Sequence, residues 1–398
     1  MPKKKRGAGE GSITQRPDGR WMSQITIGRK PDGKPRRLTL YGKTRREAAD
    51  KLTKALGDRQ NGTLVGPNQV TLGQWLDTWL QGYKKARLRP TTFSSYEQQI
   101  RVHIKPAVGL IPLRDLRPDH LQWLYSQKLD SGLSPTSVRY IHHVLHAALE
   151  QAVKNQLVVR NVSEATEIPP AARREISPMT LEQVKQLLGV NTLDRLYAAI
   201  LLELTTGVRR GELLAIHWTD VDLTNGVIKV EWELVRVHDF TSGAARKTRL
   251  LFQPPKTPQS RRSIPLSKEA LEELIRHKAR QEEEKSEIGP AYTDNDLVFC
   301  TVDGKPLEPR NFTRHFDLLL KKAGLPHIRF HDTRHTFATL LLELGENPKV
   351  VQDLLGHSRI AVTLDTYSHV SLELGRRATG RLGEALSEGS TDRPKKPE

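Results

Sequence analysis

Two breaker-rich stretches constrain the fold of this chain more than any other feature: Asn61-Gly62-Thr63-Leu64-Val65-Gly66-Pro67-Asn68, and the run from Pro169-Pro170 to Arg173-Arg174. Glycine, proline and asparagine at this density interrupt helix and strand alike. The 398 residues are therefore expected to fold as separate pieces, each with its own core. The pieces differ in hydrophobic period. Before the first break, Trp21-Met22-Ser23-Gln24-Ile25-Thr26-Ile27 and Arg36-Arg37-Leu38-Thr39-Leu40-Tyr41 alternate in the strand manner, with turn signals at Pro17-Asp18-Gly19 and Pro31-Asp32-Gly33. At Thr44 the period becomes helical. Thr44 and Glu47 have capping-box spacing, and Ala48, Leu52 and Ala55 share one face.

Between the breaks the pattern is helical throughout. Thr71 stands where a cap precedes Leu72, Trp75, Leu76, Trp79 and Leu80. Further helices are predicted from Thr91-Thr92-Phe93 through Tyr96 and Ile100, around His120, Leu121, Leu124 and Tyr125, and from Thr136 to Val153. Trp75, Trp79 and Trp123 read as core. After the second break Ser177-Pro178-Met179-Thr180 opens a new helix, and the run from Leu193 to Thr205 is apolar nearly all round, as a buried central helix should be. Strand patterns follow at Val227-Ile228-Lys229-Val230 and Ser263-Ile264-Pro265-Leu266. The expected fold is multidomain α+β: a small three-stranded sheet plus helix over residues 1–62, a helical domain over 68–168, a mainly α domain with a small antiparallel sheet over 175–386, and a disordered tail at 387–398.

Charge narrows the partner. Lys plus Arg exceed Asp plus Glu by 63 − 46 = +17, and residues 1–60 alone hold 17 against 6, or +11. Such a field favours a polyanion and says nothing about fold. The single cysteine, Cys300, makes no internal disulfide and no cysteine-rich zinc site, which fits a reducing, cytoplasmic setting. No apolar run approaches membrane-spanning length, and Met1-Pro2-Lys3-Lys4-Lys5-Arg6 lacks the apolar core of a secretion signal. That basic start reads as an arm touching phosphates in preference to a nuclear-localisation patch.

The chemistry lies in the second half, in cationic side chains that end in a tyrosine: Arg209 in Thr206-Gly207-Val208-Arg209, Lys256 in Pro255-Lys256-Thr257, His331 and Arg334 in His331-Asp332-Thr333-Arg334-His335, His357 in Leu355-Gly356-His357-Ser358, and Tyr367. Each suits a phosphodiester whose charge grows under attack. An arginine at a helix start after Gly207 offers a bidentate phosphate clamp, and Glu212 is placed to hold it. His331 and Arg334, three apart on a helix, address one phosphate together, and a histidine of ordinary pKa accepts a proton near neutrality. Tyr367 among such cations would have its phenolate stabilised. A zinc site of His331, His335 and His357 fits the spacing of its first pair but not the context, where no Glu follows the first His and Arg334 would lie beside the ion.

In order and local context these six positions resemble the catalytic domain of the tyrosine recombinases, the phage-integrase family. The one departure is Val208, where the family more often has Leu or Ile, a matter of packing. Residues 12–60 resemble the AP2-like arm-binding domain of phage and conjugative-element integrases, with Arg16, Arg20, Trp21, Arg36, Arg37 and Tyr41 as expected DNA contacts. A β-ribbon fits the major groove as a helix does. The helical middle is similar to the family's core-binding domain, with Thr91, Ser94, Ser95, Lys105, Arg139 and His143 as candidate contacts. The stretch Pro254 to Leu266 is similar to the family's β-hairpin, whose lysine, here Lys256, protonates the leaving 5′ oxygen. Lys229 is the alternative. The resemblance implies a site-specific recombinase that cuts and rejoins DNA through a 3′-phosphotyrosine and a Holliday junction, without metal or cofactor. Its implied partners are double-stranded DNA at core and arm attachment sites, a homotetramer on that DNA, a host DNA-bending protein and an excision factor, in the bacterial cytoplasm. The Leu- and Arg-rich stretch from Val370 to Leu386 is expected to dock on a neighbouring protomer. A type IB topoisomerase, which religates its own strand, and a silent DNA-binding regulator are the rival readings. The arm module speaks against the first and the intact set of six positions against the second.

Overall fold

A computed structural model of the chain describes residues 10–29, 33–60, 70–170, 177–239, 248–356 and 372–388. It divides into two compact units, 1–173 and 174–398.

The first unit opens with three antiparallel strands in sequence order, β1 (Ser12–Gln15), β2 (Trp21–Arg29) and β3 (Pro35–Gly42), followed by α1 (Arg45–Gln60). Thr44 Oγ1 accepts from Glu47 N (3.2 Å), while the Glu47 carboxylate reaches back to Lys43 N (2.8 Å), one residue earlier than a regular capping box. Ile25 and Leu38 from the sheet pack on Leu52 and Ala55 of the helix. Helix α2 (Leu72–Trp79) starts in a full capping box between Thr71 and Gln74 and runs on through a π-helical turn (Leu80–Lys84). Then come α3 (Pro90–Gln98), a second π-helical turn (Gln99–Ile104), α4 (Lys105–Val108), α5 (Pro118–Asp130) and α6 (Pro135–Lys154). Pro90 and Pro135 sit in the first turns of their helices, where a missing N–H costs nothing. Their core includes Leu72, Trp75, Trp79, Ile104, Leu121, Leu124, Ile141 and Leu145. Trp123 is exposed, against expectation: the buried stripe of α5 is Leu121, Leu124 and Tyr125, and position 123 falls on its outer side.

In the second unit α7 (Leu181–Gly189) begins in the Thr180–Gln183 capping box, and α8 (Tyr197–Thr206) is the buried central helix. This helix starts later than predicted, and Leu193 lies in the preceding turn, exposed. A short α9 (Arg210–Leu213) leads to β4 (Val221–Asp222) and β5 (Val227–Val230), which pair antiparallel with each other and, across β5, with β8 (Arg262–Pro265). Between them a separate ribbon is made by β6 (Glu233–His238) and β7 (Thr248–Gln253). Helices α10 (Lys268–Ile288), α11 (Pro309–Lys322), α12 (Phe330–Glu343), α13 (Pro348–Leu355) and α14 (Leu372–Glu388) complete the unit. The predicted tail at 387–398 thus begins inside the last turns of α14, and its residues 389–398 lie outside the described residues. Ala199, Leu202, Leu213, Ile228, Ile264, Phe299, Phe312 and Phe316 form the main core. Among the described residues no helix is long and apolar enough to cross a membrane.

Candidate active site

The site is organised by the stop of α8. Gly207 is left-handed (φ +60°), and a Cβ there would meet Phe337 Cδ1 at 2.4 Å, so both conformation and space require glycine. The turn makes Arg209 the N-cap of α9. Its backbone N donates to Glu212 Oε2 (3.1 Å), and its Nη1 donates to Glu212 Oε1 (2.6 Å) and Ser260 Oγ (3.4 Å). The Arg209 side chain is 34% exposed and that of Glu212 1%. The carboxylate therefore anchors the guanidinium through Nη1 while part of the side chain stays open to solvent, as a phosphate clamp needs.

Glu212 holds a second arginine. Arg262 Nη2 on β8 donates to Glu212 Oε2 at 3.1 Å, with the Arg262 side chain 7% exposed. Burial alone would raise the Glu212 pKa; the charges of Arg262 and Arg209 and the bonds from Arg209 outweigh it and hold the group below the usual carboxylate value.

His331 and Arg334 are both on the first turns of α12. Arg334 is almost completely buried, and its Nη1 donates to Gly207 O (2.6 Å) and its Nη2 to Leu355 O. It thus draws together the C-terminal ends of α8 and α13, where backbone carbonyls are short of partners. Beneath it, Glu203 of α8 is fully buried and accepts from Thr333 Oγ1; burial pushes its pKa up to about 8, against the Thr333 bond and the charge of Arg334. His331 presents its ring at the surface beside His335, with centroids 5.6 Å apart. Desolvation by the surrounding protein, then the charges of His335, Arg334 and Arg209, lower its pKa to about 4, only partly opposed by Asp332. The shift is downward from the ordinary value expected of it, in the direction that favours the neutral, proton-accepting imidazole in the DNA-free protein. A phosphate seated among the same cations would push the value back up.

Lys256 is exposed, in the connection between β7 and β8. The expected hairpin does not carry it, because β7 and β8 belong to different sheets. Pairing of β7 ends at Gln253 opposite Glu233, and Pro254-Pro255, which have no N–H, cannot extend it. A tight turn follows, with Ser260 N bonded to Thr257 O (3.0 Å) and Thr257 Oγ1 3.0 Å from Ser260 Oγ, and it brings the buried Ser260 to Arg209. Lys229 is exposed on β5, opposite Ser263. His357 and Tyr367 lie outside the described residues, which in this stretch stop at Gly356, left-handed (φ +65°) at the end of α13.

The expected DNA contacts fall in varied surroundings. Arg16, Arg20, Arg37 and Tyr41 are exposed, and the Arg16 guanidinium lies over the Tyr41 ring at 5.6 Å. Arg37 pairs with Thr26 and Tyr41 with Met22, on the sheet face opposite α1. Trp21 is half-buried and has the parity of Ser23 and Ile25, the helix-covered face. Arg36 is in β3. Lys105 Nζ is 2.6 Å from both oxygens of Asp77, so its charge is already paired. Arg139 is exposed and donates to Pro169 O (3.3 Å), and Thr91 is half-buried, its carbonyl accepting from Ser95 Oγ (3.0 Å). Ser94 is buried, and His143 is exposed and stacked on Tyr140.

Three residues of the site escaped sequence reasoning: Arg262, Ser260 and Glu203. The signal for two of them was present. Arg262 has the strand parity of buried Ile264, and Glu203 is the one charged residue in a largely apolar helix; a charge at a core position implies a partner.

A model of the phage integrase family matches residues 178–373, and one of the phage integrase N-terminal SAM-like domain matches 71–129. A "Tyrosine recombinase XerC-like" protein of Caldanaerobacter subterraneus subsp. tengcongensis is 32% identical over 87% of this chain and 91% of its own length. The ICEBs1 integrase of Bacillus subtilis is 24% identical over 94% of this chain and its entire length. Among solved structures, the Tn1549 transposon integrase in complex with transposon right end DNA superposes with a TM-score of 0.65 over 79% of this chain and 99% of its own, at 23% identity. A lambda integrase tetramer bound to a Holliday junction gives 0.55 over 91% and 96%, at 21% identity.

Proposed function

The chain belongs to the phage integrase family, the tyrosine recombinases, and we propose that it is the integrase of a phage or integrative element, cutting and rejoining double-stranded DNA through Tyr367. The observation that carries this reading is the Arg209 clamp: a partly exposed guanidinium fixed by a buried carboxylate, close enough to His331 for its charge to be felt there. In the first step the Tyr367 oxygen forms a bond to the scissile phosphorus and the bond from phosphorus to the 5′ oxygen breaks. The phenol proton passes to His331, which is neutral before DNA arrives, and the leaving 5′ oxygen takes a proton from Lys256. Arg209 and Arg334 supply positive charge as the phosphate gains negative charge in the transition state, and His357 adds a donor. A 5′-hydroxyl, from the same or a partner duplex, then reverses the step. Each step replaces one phosphodiester by another, so no external energy source is needed.

Four protomers on two duplexes would exchange strands in pairs through a Holliday junction, the assembly named for the lambda relative. Helix α14, which exposes Leu382 and Leu386, is the segment proposed to dock on a neighbouring protomer. Residues 1–62 are proposed to bind arm sites, 68–168 the core site, and 175–386 to carry the reaction. The site of action is the bacterial cytoplasm, with a host DNA-bending protein and an excision factor as further partners. The test is a nicked suicide duplex carrying a core site. The wild-type protein should form a protease-resistant covalent adduct and Tyr367→Phe should bind the duplex without forming one. An adduct in that variant would remove Tyr367 as the nucleophile.

A further inference from the structure

Arg262 is a nearly buried side chain in the second unit that makes three hydrogen bonds to three different elements and that the reaction above does not use. From β8 its Nε donates to Leu354 O (2.6 Å), its Nη1 to Ser260 O (2.9 Å) and its Nη2 to Glu212 Oε2 (3.1 Å). The three acceptors come from three elements. Glu212 belongs to α9 and holds Arg209; Ser260 ends the turn that begins just after Lys256; Leu354 is in the last turn of α13, three residues before His357. The contact with α13 is close. A Cβ on Gly356 would stand 2.9 Å from Gln259 O and 3.2 Å from both Cδ and Nη1 of Arg262, so the left-handed glycine lies flat against the guanidinium. Arg334 caps the neighbouring carbonyl, Leu355 O, from α12. Two arginines from different elements therefore close one helix end, where the backbone is short of donors and the dipole favours cations.

We infer that Arg262 is a positioning residue for strand cleavage: one buried guanidinium fixes the Arg209 clamp, the loop bearing Lys256 and the end of α13 that leads to His357 as a single unit. The chemistry requires arginine. Its planar fork carries five donors in fixed directions and serves three acceptors at once, whereas a lysine ammonium at the end of a flexible stem acts as a point donor. Loss of the fork leaves Glu212 bonded to Arg209 alone and releases both the Ser260 turn and α13 from β8. The duplex would still be held by its many other contacts. What suffers is the simultaneous placement of groups on the two sides of the scissile phosphate, which small misplacements slow disproportionately.

The inference rests on the recombinase reading, and the experiment separates the two. Covalent trapping on the nicked core-site duplex and affinity for an intact duplex are measured for wild type, Arg262→Lys, Arg262→Met, Glu212→Gln and the Met/Gln double variant, at a temperature where circular dichroism shows each folded. Failure of the wild-type protein to trap DNA overturns the recombinase reading. If the wild type traps, Arg262→Met should trap about 10–100-fold more slowly with affinity within about threefold, and Arg262→Lys should recover only part of the rate. The double variant should be no slower than the slower single one, as for residues acting through one unit. Wild-type trapping in either Arg262 variant, or losses that multiply in the double, would overturn the inference. If Arg262→Met does not fold, Arg262→Lys, which keeps charge and bulk, decides the case.

Discussion

Replacing Glu212 with Gln tests the anchor of the phosphate clamp with almost no change in shape. Glu212 accepts three bonds, two on Oε2 from Arg209 N and Arg262 Nη2 and one on Oε1 from Arg209 Nη1. In the amide one of these oxygens becomes an NH2 that faces N–H donors, so at least one bond is replaced by a clash of donors, and both guanidinium groups lose their counter-charge. Removing one member of a buried ionic group costs about 3–5 kcal/mol because the charge left behind is uncompensated. The partly open Arg209 recovers some solvation, which favours the lower end, about 3 kcal/mol. For a unit of this size that corresponds to a fall in Tm of roughly 6–12 °C. The pH dependence has a defined sign. Glu212 is held below its ordinary 4.5, so its stabilisation is complete above about pH 4.5 and is lost as the pH falls through the lower folded value. The variant should lack that acid-side loss. Because a DNA phosphate supplies an anion to the partly open Arg209, a core-site duplex should raise the Tm of the variant more than that of the wild type. Trapping should fall by about 10²–10³-fold, as when a transition-state donor is lost. Thermal unfolding by circular dichroism with and without duplex, alongside suicide-substrate trapping, measures all of this. A Tm within about 2 °C of wild type, with trapping within about twofold, would refute the argument that Glu212 neutralises two arginines.

Glu203 keeps its proton up to about pH 8 when folded but releases it near 4.5 when unfolded. Stability should therefore fall as pH rises through that window, by on the order of 1 kcal/mol per pH unit, and Glu203→Gln should flatten the slope in urea titrations at several pH values; an unchanged slope would mean the carboxyl is ionised in the fold. Arg334→Ala removes the donor from two buried helix-end carbonyls, Gly207 O and Leu355 O. It should cost about 2–5 kcal/mol in denaturant unfolding as well as slow trapping, and a variant of full stability would show that these bonds are dispensable. Deleting residues 1–60, with their 17 Lys and Arg, should lower the salt slope of DNA binding by about 0.9 per lost phosphate contact while leaving cleavage of a short core site intact. Integration between two attachment sites should fail in the truncated protein; unchanged integration and salt dependence would remove the arm-binding role.

Much of this structure is local and was legible in the residues alone. The Thr71–Gln74 and Thr180–Gln183 caps, the stops at Gly207 and Gly356, and the pairing of Arg209 with Glu212 all operate within a few positions of the chain, where spacing alone brings groups into contact. The order of the six reactive positions likewise survives without coordinates, since each sits in a short motif of its own. Other features depended on which elements meet. Arg262 finds Glu212 across 50 positions and Leu354 across 92, and Arg334 reaches back 127 to Gly207. No periodicity encodes those distances. The hairpin expected around Lys256 comes from the resemblance of Pro254 to Leu266 to the family's β-hairpin, yet sheet membership follows from hydrogen-bond partners that a local sequence does not name. The pKa values of His331 and Glu203 depart from ordinary because burial and neighbouring charge are properties of the packed site: at His331 desolvation and nearby cations push the same way, while at Glu203 desolvation outweighs the charge of Arg334.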